Sequence, residues 1–88
     1  VQALQQADAA LAAGALLAPP GNNAAELYQR VLAQDPQNAR ARSGLDRVVN
    51  GVLTNAEQAI LAGQLDNAAR SVEAARALQP DNVRIAFL

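Results

Sequence analysis

The chain is 88 residues long, 51% hydrophobic, with a formal net charge of −1, no cysteine and no histidine. That is enough for one small domain. It excludes disulfide and thiolate chemistry, removes the commonest general base and metal ligand, and leaves too little positive charge for non-specific nucleic-acid binding. All the basic residues are arginine, and alanine, the best intrinsic helix former, is the commonest residue. No apolar run approaches the ~20 residues that span a bilayer, so no membrane insertion of this segment is expected.

Taken in chain order, Leu4, Ala7, Leu11 and Ala15 recur at helical spacing and predict a first helix that ends near Gly14, a residue suited to a C-terminal cap. Leu17-Ala18-Pro19-Pro20-Gly21 is a loop, because two prolines forbid a helix interior. Asn23 followed by Glu26 resembles a capping box and starts a second helix at Ala24, with Leu27, Tyr28, Val31 and Leu32 as its buried stripe and Asp35-Pro36 as its stop. Asn38 can cap a third helix, in which Ala41, Leu45, Val48, Val49, Val52, Ala56, Ala59 and Ile60 hold one face as far as Gly63. Asn50-Gly51 would mark a hairpin turn between strands. The unbroken 3.6-residue period across it favours one continuous helix of about 24 residues, roughly 36 Å long at 1.5 Å per residue. Asp66 starts a fourth helix that Pro80 ends, and Asn82 can cap a fifth from Val83 to Leu88. No segment alternates with period two, so the expected class is all-α.

Two phrases occur twice. Ala7-Asp8-Ala9-Ala10-Leu11-Ala12-Ala13-Gly14 recurs as Ala56-Glu57-Gln58-Ala59-Ile60-Leu61-Ala62-Gly63, and the phrase from Ala24 to Pro36 recurs from Ala68 to Pro80. The copies are offset by 49 residues in the first phrase and 44 in the second, and the difference falls in the Pro19-Pro20-Gly21 loop. A duplicated helix-loop-helix unit predicts a stacking repeat, an architecture that usually binds other proteins. The unit resembles a tetratricopeptide repeat. Ala56 takes the small position of its first helix and Ala59 the larger one that follows, Gly63-Gln64-Leu65-Asp66 its turn, Ala68, Val72 and Ala75 the knobs of its second helix, and Pro80 its close; Ala7, Ala10, Gly14, Ala24, Tyr28, Val31 and Pro36 match in the first unit. The resemblance implies one helical-repeat domain over 1–88, with units of about 1–36 and 39–80; the start at Val1 and the apolar end Ile85-Ala86-Phe87-Leu88 read as those of a fragment of a longer protein. The sequence departs from the family in its long first turn, its long third helix and its scarcity of large aromatics. Its unequal, Ala-rich units also resemble segments of proteobacterial envelope proteins, including TonB-type energy transducers, which implies a periplasmic or envelope setting.

In that family the exposed face of the first helices lines a concave groove. The resemblance therefore implies partner-binding roles for Leu4, Asp8, Leu53, Glu57 and Leu61, suited to a peptide with an apolar anchor and a basic residue. A plainer reading stands beside it, in which the leucines are core and the acids a solvated face. Leu61 points off the Leu45–Ile60 stripe and is either exposed or covered from outside. Arg40, Arg42 and Arg47 cluster early in the third helix, as an anion or acidic-partner contact or as a solvated face near Asp46. Asp8 and Glu57 are the sole pairing suggestive of acid–base work. With no His, Cys or Lys and no Gly-rich phosphate loop, the expectation is a non-catalytic protein–protein interaction scaffold without metal or cofactor. The partner expected is a protein or peptide, and not nucleic acid, since no aromatics interleave with the arginines. The alternative expectation is self-association through repeat ends at Val1–Leu4 and Phe87-Leu88, or a spacer between other domains.

Overall fold

The computed structural model describes residues 2–18 and 20–87, with Gln2, Ala86 and Phe87 as backbone alone. Among the described residues all regular structure is helical: α1 (Gln2–Ala12), α2 (Ala24–Gln34), α3 (Ala39–Leu61), α4 (Leu65–Leu78) and a 3-10 turn, Val83–Phe87. The chain forms two compact units, Val1–Val48 and Val49–Leu88. The division falls inside α3, not at the Pro36 turn that closes the sequence repeat, because α3 contributes residues to both cores.

The sequence repeat reappears as a repeat of hydrogen bonds. At the end of α1, Ala15 N donates to Ala10 O (2.9 Å) and Gly14 N to Leu11 O (3.1 Å). At the end of α3, Gln64 N donates to Ala59 O (2.8 Å) and Gly63 N to Ile60 O (3.0 Å). Both are Schellman caps, which need a left-handed residue after the last helical turn, and Gly14 and Gly63 supply it with φ of 81° and 77°. Alanine at Gly63 would meet open space but would adopt a conformation that costs an L-residue about 1–2 kcal/mol. Gly63→Ala is therefore expected to lower the unfolding free energy measured by urea denaturation by that amount while leaving the helix content measured by circular dichroism unchanged.

The ends of α2 and α4 repeat equally closely. Asp35 and Gln79 hold φ/ψ of −140°/82° and −141°/82° and donate to Val31 O and Ala75 O, each stopped by a proline that disfavours a helical residue before it. In the next turn Asn38 N donates to Asp35 O and Asn82 N to Gln79 O. The Asn38 Oδ1 then accepts from Ala41 N (2.9 Å) and the Asn82 Oδ1 from Arg84 N (2.9 Å). The segment after Asn82 is 3-10 rather than the α-helix expected from sequence. Leu88 and the side chain of Phe87, on which the expected sticky end rests, lie outside the described residues, as do Val1 and Pro19.

The five extra residues of the first turn are tied down. Ala24 N and Ala25 N donate to Ala15 O and Leu16 O, the Asn23 Nδ2 to Leu17 O, and Glu26 N to the Asn23 Oδ1. The first donors of α2, which a helix leaves without internal partners, are thus satisfied by the loop itself. The second turn is shorter, and α4 starts at Leu65, one residue before the expected Asp66. Asn50 and Gly51 lie within α3, and neither has the positive φ that a type I′ hairpin turn demands.

In the first unit α1 packs on α2, and Leu4, Ala7, Ala24, Leu27, Tyr28 and Ala41 are buried. The small alanines let the helix backbones approach closely. In the second unit Val52, Leu53, Ala56, Ala68, Ala75 and Ile85 are buried. The expected α3 stripe holds from Ala41 to Ala56, but Ile60 emerges at 39% exposure.

Candidate functional site

In the first unit a cavity of about 620 Å³ opens between α1, α2 and the first turns of α3. Its floor is the ring of Tyr28, which is fully buried and lies against Gly44. A Cβ at Gly44 would overlap the ring carbons and come within 2.7 Å of the phenolic oxygen, so glycine is what admits the tyrosine here. The Tyr28 hydroxyl donates to the Asp8 Oδ1, and the Arg40 guanidinium pairs with the Asp8 Oδ2. Both carboxylate oxygens are occupied.

The electrostatics follow from these bonds. The hydrogen bond from Tyr28, and then that from Arg40, hold the Asp8 carboxyl below the usual carboxylate range. Burial first, and the bond to Asp8 second, push the Tyr28 hydroxyl up to about 12. The rest of the cavity wall is Leu11 and Ala12 from α1 and Ser43 and Arg47 from α3. Residues 40, 43, 44 and 47 share one helix face by their spacing of three and four, whereas Arg42 is exposed on another face.

In the second unit Glu57 pairs with Arg84, whose guanidinium also donates to Asn50 O (3.3 Å) and the Thr54 Oγ1 (3.2 Å). Asp8 and Glu57 are counterparts at the offset of 49, and Arg40 and Arg84 at the offset of 44. The two ion pairs are therefore one interaction made twice, each tying a helix of one repeat to the residues that follow the X-Pro-X-Asn turn closing it. Sequence reading placed Asp8 and Glu57 on a binding face and missed Arg84. The signal was present, because the offset that carries Pro36 onto Pro80 also carries Arg40 onto Arg84. Tyr28 has Val72 as its counterpart, so the hydroxyl contact belongs to the first unit alone.

These positions settle where the named residues lie. Leu4 and Leu53 are 4% and 0% exposed and offer no surface to a partner. Leu4 shares the Ala7 stripe of α1 and Leu53 the Val49–Ala56 stripe of α3, which turns both into the core. Asp8 and Glu57 are partly exposed but held by intramolecular arginines, as is Arg40. Leu61 remains at the surface, 88% exposed, with Leu65 at 64% nearby in sequence. A second cavity, of about 330 Å³, is lined by Ile60 and by Leu65, Ala68 and Val72 of α4. Among the described residues no group of three His, Cys, Asp or Glu is placed to hold a metal ion, and no helix is long and apolar enough to cross a membrane. Compared with protein-family models, with curated proteins and with solved structures, the chain matches none.

Proposed function

We infer that the chain is a tetratricopeptide-type repeat scaffold that holds another protein or peptide and performs no chemistry of its own. The observation supporting this reading is the doubled frame: the same glycine cap, the same X-Pro-X-Asn turn and the same carboxylate–arginine tie, each made twice along the chain. Repeat proteins of this type, as a class, have nearest-neighbour stability and present extended side-chain surfaces. The acids and Arg40 serve that frame, which leaves Arg47 and Leu61 as the sequence-named residues open to a partner.

The reading is tested by selecting binders from a random peptide library on the immobilised chain and measuring them by calorimetry, with the mass of the free chain followed by light scattering. A selected consensus that binds a monomer with micromolar affinity supports the scaffold. Failure to enrich any sequence, together with a mass that rises with concentration, replaces it with self-association, which the exposed Leu61 and Leu65 would favour.

A further inference from the structure

We propose that the cavity of the first unit is a binding site for a carboxylate carried on a short aliphatic stem, received by Arg47. Three observations lead there. The cavity, at about 620 Å³, falls within the size range of small-ligand sites. Its wall holds two guanidinium groups against one carboxylate, and that carboxylate is already met on both oxygens, by Tyr28 and by Arg40. The remaining cation, Arg47, is exposed and makes no hydrogen bond or ion pair among the described residues, although its charge acts on both Asp8 and Tyr28.

The chemistry of the wall selects the ligand. Arg47 presents a planar fork matched to a carboxylate, and Ser43, one turn earlier on the same face, adds a hydroxyl donor. Leu11 and Ala12 on the opposite wall offer apolar contact to methylene groups. A cation is disfavoured because Arg40 and Arg47 flank the opening. Tyr28 and Gly44 make the floor rigid, since the ring has no room to shift toward α3 without losing its bond to Asp8. Arg40 is a positioning residue here: it takes the Asp8 Oδ2 and so leaves Arg47, whose charge acts on Asp8 from a distance, without an ion pair among the described residues.

The carboxylate can come from a glutamate side chain of a bound peptide or from a free small acid, and the first source rests on the scaffold reading above. The two are separated by titrating the isotope-labelled chain with acetyl-Ala-Glu-Leu-Ala-amide, with its Gln counterpart and with glutarate, following the amides of Ser43 and Gly44 and the Nε–H of Arg47. The Glu peptide is expected to move all three signals, with the Gln peptide weaker by about tenfold or more, as loss of a charge-assisted bond implies. Arg47→Ala should abolish the response and Arg42→Ala should leave it within about twofold, the α-helical circular dichroism of both matching wild type. Glutarate binding without peptide binding supports the site and counts against the peptide scaffold. The site is overturned if Glu and Gln peptides bind alike, if Arg42→Ala weakens binding as much as Arg47→Ala, or if none of the three signals moves with either acid. Library-selected peptides that bind elsewhere in that last case would leave the scaffold reading standing.

Discussion

Gly44→Ala is expected to destabilise the chain by about 1–3 kcal/mol, although the same substitution in an unencumbered helix interior stabilises by about 1 kcal/mol. The added methyl would overlap the Tyr28 ring. The ring is buried and anchored through its hydroxyl to Asp8, so it cannot yield as the tip of a flexible side chain would. Removing the far half of the ring should reverse the sign. In a Tyr28→Leu background the clashing atoms are gone, and Gly44→Ala should recover the ordinary helix-propensity gain, even though Tyr28→Leu by itself lowers stability through lost packing. Urea denaturation of the four proteins closes this double-mutant cycle, and a coupling energy of about 2 kcal/mol or more between the two sites is the expected result. Additive effects would show that Gly44 and Tyr28 are not in contact.

The second large effect is a loss of stability in alkali that one residue produces. Tyr28 has its hydroxyl raised to about 12 by burial and by Asp8, against about 10 in the unfolded chain. Between those values the folded chain keeps a proton that the unfolded chain releases, so stability is complete below pH 10 and falls as pH rises toward 12. Two pH units correspond to about 2–3 kcal/mol, a large share of what so small a domain possesses. The composition makes this readable: the chain has one tyrosine, no cysteine and no lysine, so no second phenol, thiol or side-chain amine is present to obscure it. Urea midpoints by circular dichroism should decline across that window and stay flat in Tyr28→Phe. Tyrosinate absorbance should rise together with the loss of helix. Absorbance that titrates near pH 10 while the helices persist would contradict the buried position of the ring.

Much of the fold is written locally. Gly14 and Gly63, Asn23, Asn38 and Asn82, and the prolines at 36 and 80 each act within a few residues of themselves, and each does in the structure what its chemistry prescribes. The continuity of α3 through Asn50-Gly51 also follows from the sequence, because the apolar period there is helical on both sides. The candidate site was less legible. Leu4 and Leu53 were placed on a binding face from their matching positions in the repeat. Matching positions establish shared environments without saying which environment, and for these two it is the core. Asp8 and Glu57 belong to ion pairs whose arginines lie 32 and 27 residues away, a separation that no helix periodicity spans.

The division between what sequence and structure decide is therefore one of range. The sequence by itself determined the all-α class, the helix ends and the twofold repeat, since caps, X-Pro turns and apolar stripes are interactions between near neighbours in the chain. Only the tertiary structure decided that Gly44 exists to admit Tyr28, that each paired acid holds the arginine after its X-Pro-X-Asn turn, and that Arg47 makes no ion pair among the described residues of the cavity. Those outcomes depend on which helix faces meet, and that is set by packing across distances along the chain at which the sequence pattern carries no phase.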